Sequence, residues 1–287
     1  MNNFEYIAEQ LQKVEDAADV DDRIAVYREL RKLGINDFLG TLWRMPAMEY
    51  PRISGILPSM ASIDVQSSWT GSSGPILMNQ SVSFARAATF NYAEITGSSL
   101  KGKKILDFGC GYGRLLRAFA YFSDDVHGVD PWTESIRICH EAGLKDNVSI
   151  SDYLPTSLPV PVNFDFVFAF SVFTHLSERA TKQSLSTIRQ HMRSGAVLCI
   201  TVRPIEYWRA VYRDKTEAFF EAVEHAHRSV GFAFVPHHRD AIDGDITYGD
   251  TSMTIDYLLS IATDFKLASV DRSGDDEMQR YVYLKAI

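Results

Sequence analysis

The stretch KILDFGCGYGRLLR, residues 104–117, constrains this chain more than any other. An apolar run reads as a strand. Gly109, Gly111 and Gly113 at alternate positions read as a tight bend, and a helical pattern follows. Glycine adopts backbone conformations closed to other residues and lets the main chain approach a ligand. The alternation then continues. GRLLRAFAYF predicts a helix and DVHGVD a strand. Residues 133–142 predict a helix with Ile136 and Cys139 inward and Gly143 as its stop. NVSISDY and FDFVFAFSVF read as strands, 178–193 as a helix capped by Ser177 and closed by Gly195, and GAVLCITV as a strand. Alternation at this spacing predicts a parallel sheet with helices on both faces, and the near-continuous apolar strands fit burial on both sides.

The flanks read differently. Residues 3–15 and 22–33 predict helices. In the second, Ile24, Tyr27, Leu30 and Leu33 form one stripe, with Asp21 or Asp22 as start and Gly34 as stop. Residues 36–80 hold Pro46, Pro51, Pro58, Pro75 and the turn-rich WTGSSGP, which predicts irregular structure. A helix follows with Phe84, Ala87, Ala88, Tyr92 and Ile95 on one face and Gly97 at its end. After the strand GAVLCITV, residues 203–250 interrupt the alternation with two helices, one after Pro204 and one opened by a capping box of Asp214 and Glu217. A helix capped by Ser252 carries Ile255, Leu258, Leu259 and Ala262. Two final strands are joined by Ser-Gly-Asp-Asp, a connection too short for a parallel crossover, so this pair is antiparallel. The organisation expected is a helical and irregular N-terminal extension, 1–80, and an α/β domain, 81–287, with 203–250 inserted as a lid or substrate segment.

A chain of 287 residues, 46% hydrophobic, can bury a sizeable core. No run approaches the roughly 18 apolar residues of a membrane span. The opening MNNFEYIAEQLQ lacks the pattern of a secretory signal. Cys110, Cys139 and Cys199 show no CxxC spacing and read as reduced thiols of a cytoplasmic protein. The net charge of -8 disfavours DNA or RNA as partner. His225, His227, His237 and His238 fall close together but lack a compact motif such as H-E-x-x-H, so no metal site is expected.

The glycine spacing bears on the ligand. A dinucleotide fingerprint is G-x-G-x-x-G, but Arg114 stands where its third glycine belongs, and no phosphate-loop pattern occurs. Asp107 puts a carboxylate beside the bend, which repels a pyrophosphate and suits an ammonium. Asp130, at the tip of the second strand, is placed to accept hydrogen bonds from ribose hydroxyls. Trp132 either packs on an adenine or sugar or belongs to the core. Asp152, with Tyr153 beside it, either meets the adenine amino group or simply begins a loop.

At these residues the chain, from about 80 to 202 with the C-terminal hairpin, resembles the class I methyltransferase family. DFGCGYG matches the family's D/E-x-G-x-G-x-G motif, GVDPW its acidic second motif, SDYLP its third and FDFVFAFSVFTHL its fourth. The resemblance implies a Rossmann-like, seven-stranded, mostly parallel sheet of order 3-2-1-4-5-7-6 with an antiparallel last strand. It also implies S-adenosylmethionine as methyl donor and S-adenosylhomocysteine as product. On the matching positions, it implies cofactor contacts at Asp107, Gly109, Cys110, Gly111, Gly113, Asp130, Pro131, Trp132, Asp152, Tyr153 and Ser171. The tail is more weakly similar to methyltransferases associated with bacterial polysaccharide biosynthesis.

Methyl transfer from a sulfonium is a one-step displacement, so the protein mainly supplies alignment and exclusion of water. An oxygen acceptor must also lose a proton. His175, after the fourth strand, is the candidate base; the other reading makes it a backbone-bonded wall of the pocket. Arg203, Tyr207, His237, His238, Arg239 and Tyr248 are the insert's candidates for the acceptor, and WTGSSGP is a candidate closing loop. The acidic charge and the polysaccharide resemblance favour a small-molecule or saccharide hydroxyl. Two other readings stand beside this one: a non-catalytic cofactor-binding regulatory or scaffold protein, and a NAD-linked oxidoreductase. The absent G-x-G-x-x-G argues against the latter.

Overall fold

The structure is a computed structural model that describes residues 5–17, 22–274 and 276–287. The start of the helix expected at 3–15, the start signal Asp21 and Asp275 of the expected turn lie outside the described residues. Six helices come first: α1 (Glu5–Asp16), α2 (Arg23–Leu30), α3 (Ile35–Trp43), α4 (Pro51–Ile56), α5 (Ile63–Thr70) and α6 (Gly74–Thr96). The alternating region follows as β1 (Ile105–Phe108), α7 (Arg114–Phe119), β2 (Val126–Asp130), α8 (Thr133–Glu141), β3 (Val148–Ile150), β4 (Phe164–Ala169), α9 (Glu178–His191) and β5 (Met192–Val202). The insert contributes α10 (Tyr207–Val211), α11 (Glu217–Ser229), β6 (Phe232–Pro236) and β7 (Gly249–Met253). The chain closes with α12 (Ile255–Ile261), β8 (Phe265–Arg272) and β9 (Arg280–Ala286).

The main sheet has the order β3-β2-β1-β4-β5-β9-β8. Its first five strands pair in parallel, and β9 runs antiparallel to both β5 and β8. This is the expected α/β sheet with the expected order. Alternate residues along each strand serve opposite faces. Ile105, Phe166, Phe168, Val197, Cys199, Tyr281 and Tyr283 pack with residues of α1 to α4 and α6 to α8, whereas Leu106, Phe108, Val167, Leu198, Ile200, Val282 and Leu284 pack with α9 and α12. Among the described residues no helix is long and apolar enough to cross a membrane.

The local expectations need correction at several points. Residues 36–80 are largely helical rather than irregular. Pro51 and Pro75 open α4 and α6, where the missing N–H has no partner to lose, and Pro46 and Pro58 lie just beyond the ends of α3 and α4. Asp22 does cap α2, but Ile24 is exposed and the buried residues are Val26, Tyr27 and Leu30. Gly34 caps the start of α3. Gly195 lies inside β5 and does not close α9. Thr216, not Asp214, caps α11, and Thr254, not Ser252, caps α12. Ser252 instead lies in β7, where its hydroxyl accepts the Trp208 indole N–H at 2.7 Å. The small β6–β7 sheet was not expected at all.

Candidate active site

The strand tips set the site. Asp107 pairs with Gly128 and Phe108 with Val129, so β1 and β2 end side by side. The bend after β1 is stitched to β2 by the N–H groups of Gly109 and Cys110, which both donate to the Val129 carbonyl (2.8 and 3.0 Å). Gly109 adopts φ +81°, and a Cβ there would fall 2.4 Å from Val172 Cγ2, so the position demands glycine. Asp130 Oδ2 accepts the Gly111 N–H and Oδ1 the Trp132 N–H, each at 2.9 Å. One carboxylate thus fixes both the glycine bend and the start of α8. Beneath the bend, the fully buried Arg117 donates to the carbonyls of Tyr112 (2.9 Å), Gly113 (2.7 Å) and Ser59.

Over these tips lies a cleft of about 660 Å³. Asp107 lines it yet is only 2% exposed, and its Oδ2 has no hydrogen-bond partner. Burial raises its carboxyl well above the usual range; Arg114 opposes this and Asp130 adds to it. A buried carboxylate oxygen without a donor marks a site built to receive one. Asp130, Pro131, Trp132, Asp152 and Tyr153 line the next wall. Trp132 packs against Trp69 of α5 with ring centroids 4.3 Å apart and planes tilted by 32°. Ser68, Trp69, Thr70 and Gln80 carry the N-terminal segment into the same wall.

The far wall is built around His175. Its Nδ1–H donates to the Gly249 carbonyl (2.8 Å), and its Nε2 receives an N–H of Arg203 (3.1 Å). Burial, then the Arg203 charge, lowers its pKa from 6.5 to about 4, so the ring is neutral near pH 7. Tyr248 lies flat on it, centroids 5.1 Å apart and planes within 6°. Behind this layer Asp250 accepts from Arg203, Tyr207 (2.8 Å), Tyr212 (2.5 Å) and His237 (3.0 Å). Burial alone would raise the Asp250 carboxyl. The hydrogen bonds of Tyr212 and His237, the Arg203 charge and the Tyr207 hydroxyl together hold it below the usual carboxylate range.

Comparison with known proteins bears on this arrangement. A family model described as a methyltransferase domain matches residues 105–195, the run from β1 to the start of β5. The chain carries a class I methyltransferase domain. The chain is 30% identical over 97 residues to the ubiquinone biosynthesis O-methyltransferase of Haemophilus ducreyi, covering 31% of this chain and 41% of the relative. It is 30% identical over 146 residues to an uncharacterized methyltransferase of Geobacillus sp. (strain WCH70), covering 50% of this chain and 63% of the relative. The chain therefore spans less than two thirds of either curated relative. The crystal structure of an S-adenosylmethionine-dependent methyltransferase from Clostridium acetobutylicum superposes with a TM-score of 0.50 at 11% identity, over 78% of this chain and 96% of that one, a likeness of fold.

Within this methyltransferase domain the cleft gathers Asp107, Gly109, Cys110, Gly111, Asp130, Pro131, Trp132, Asp152, Tyr153 and Ser171. Gly113 lies outside it and serves packing: it caps α7 in the left-handed region, and a Cβ would meet Leu144 Cδ1 at 2.6 Å. Ser171 also has a positive φ, 59°, held by Thr201 Oγ1, which accepts its N–H at 2.7 Å. Of the insert candidates, Arg203, Arg239 and Tyr248 line the cleft, whereas Tyr207 and His237 lie behind it on Asp250 and the exposed His238 lies away from it. His225 is exposed and His227 bonds Ser252, so the four histidines do different work. Tyr112, Gln80, Gln279 and Asp250 were not anticipated. Tyr112 fills a variable position of the glycine motif, and Gln80, Gln279 and Asp250 belong to no motif, so only the folded chain brings them here.

The neutral His175 sets a pH dependence. Unfolded, the imidazole binds a proton near pH 6.5; folded, only near 4. The unfolded state therefore holds more protons between these values, and stability falls as pH drops through that window, by on the order of 3 kcal/mol in full. His175→Asn is expected to flatten the fall of the urea midpoint between pH 6.5 and 4. An unaltered slope in the variant would contradict the assignment.

Proposed function

We propose that this protein moves a methyl group from S-adenosylmethionine to a hydroxyl of a small-molecule acceptor, a saccharide hydroxyl being one form. The observation that carries the reading is the buried, partnerless Oδ2 of Asp107 beside Asp130. An amino-acid ammonium satisfies the first carboxylate. Ribose hydroxyls suit the second, whose oxygens keep lone pairs beyond those taken by Gly111 and Trp132. A dinucleotide pyrophosphate has no N–H to give the unpartnered Asp107 oxygen, which counts against the oxidoreductase reading.

S-adenosylmethionine supplies a methyl group on a sulfonium, already activated for displacement. The chain's own residues do the rest. Asp107, Asp130 and the Trp69–Trp132 pair fix the donor's ends, with Asp152 and Tyr153 at the adenine. The bend and Ser171 hold the floor, and α5 excludes water. His175 is the group placed to take the acceptor's proton, and it does so only when Arg203 releases Nε2. The acceptor enters between Tyr248, Arg239 and Arg203. The name of the Haemophilus ducreyi relative supports oxygen as the methylated atom. The buried free thiols Cys110, Cys139 and Cys199 suit the cytoplasm, and the net charge of -8 speaks against nucleic acid as acceptor.

The test is titration of the full chain with S-adenosylhomocysteine, followed by calorimetry and by tryptophan fluorescence from Trp69 and Trp132. Methyl-labelled donor is then offered with phenols, catechols, sugars and amines. Saturable binding, a fluorescence change and labelled ethers are expected. Absence of binding sinks the proposal, label on nitrogen alone moves the acceptor to amines, and binding without any turnover favours the scaffold reading.

A further inference from the structure

The acceptor side of the cleft carries a charge that the network behind it does not use. Three arginines around the insert are ion-paired: Arg203 with Asp250, Arg209 with Glu217 and Glu224, and Arg179 with Asp243. Arg239 has no ion pair or hydrogen bond among the described residues. Its contact is with the Tyr248 ring, whose centroid lies 4.2 Å from the guanidinium carbon. Stacking leaves the N–H edges of a guanidinium free in its plane, the geometry that grips a carboxylate or phosphate through two parallel hydrogen bonds.

The position is a built one. Tyr248 bridges to Leu176, and the next N–H, of Gly249, donates to the His175 carbonyl at 2.8 Å. The platform under Arg239 is thereby pinned to the loop after β4, while the arm bearing Arg239 turns back through the Ile242–Asp245 bridge. The other charged groups lining this half of the cleft are engaged. Arg114 donates to Ser81 (2.9 Å) and packs over Phe170, and Asp276 accepts the Met278 N–H (2.9 Å). His175 is neutral. The cleft thus has carboxylates at the tips of β1, β2 and β3 and at Asp276, and an unspent cation at the insert. In a chain of net charge -8, such a cation is what admits an anion.

We propose that the acceptor carries an anionic group, a carboxylate or a phosphate, and that Arg239 stacked on Tyr248 receives it at the mouth of the cleft. This rests on the methyl-donor reading above and names its substrate class. The full chain, loaded with S-adenosylhomocysteine, is titrated with two matched pairs: 4-hydroxybenzoate against 4-hydroxybenzamide, and glucose 6-phosphate against glucose. The anionic member of at least one pair is expected to bind about 10-fold or more tightly, the scale of a charge-assisted bidentate contact. The pair that responds tells carboxylate from phosphate. Arg239→Ala should abolish the preference while S-adenosylhomocysteine affinity stays within about twofold, and Arg239→Lys should restore part of it, keeping the charge without the fork. Equal binding within both pairs, no binding in either, or a preference that survives in Arg239→Ala overturns the inference and leaves the donor reading intact. Failure of S-adenosylhomocysteine itself to bind sinks that earlier reading, and this one with it.

Discussion

Asp250→Ala is expected to lower the unfolding free energy by about 3–5 kcal/mol, the cost of stripping one partner from a buried ion pair. Asp250 is 7% exposed and Arg203 8%. Removing the carboxylate leaves the guanidinium with the Thr174 carbonyl (2.8 Å), His175 Nε2 and the Tyr207 ring (4.0 Å to its centroid), none of them charged. The hydroxyls of Tyr207 and Tyr212 lose their acceptor at the same stroke. Urea unfolding at pH 7 is the measurement. Asp250→Asn, which keeps an acceptor oxygen, should lose less. In a double-mutant cycle, Arg203→Ala with Asp250→Ala should cost less than the sum of the single changes, because no stranded charge remains. A midpoint for Asp250→Ala close to wild type would show that the cluster is not the insert's anchor.

Asp130→Ala should weaken S-adenosylhomocysteine binding by about 1.5–3 kcal/mol, roughly 10- to 100-fold, through loss of the ribose contact proposed for it. The structure adds a second loss. Both carboxylate oxygens also hold backbone N–H groups, of Gly111 and Trp132, so the bend loosens when they go. Calorimetry on wild type and variant reads the affinity, and a thermal melt reads the loosening. Unchanged affinity with a lowered melt would recast Asp130 as a loop clamp that does not touch the ligand.

The parts of this protein that could be read from its sequence are those whose signal is local. The β1–bend–α7–β2 unit and its two aspartates declare themselves within a short stretch, because apolar run, glycines and strand-tip acid are adjacent. Residues 36–80 misled because proline marks the first turn of a helix as readily as it marks a break; Pro51 and Pro75 do the former. Gly195 misled because a glycine after a helical pattern also fits a strand entry. Ser252 looked like a cap, but its hydroxyl is taken by Trp208 and His227, contacts across the insert with no sequence period. Asp250 was invisible for the same reason. Its partners Arg203, Tyr207, Tyr212 and His237 lie up to 47 positions away, and no motif links them.

Phe84 of α6 touches Phe119, Phe168, Phe170 and Tyr281, rings from α7, from β4 and its end, and from β9. A side chain that answers to so many neighbours leaves no plane along which the N-terminal helices could peel from the sheet while the rest stays intact. Heat should therefore dissolve the helical cover and the donor pocket in a single cooperative event, and any molecule that fills the pocket should delay the melting of helices it never touches.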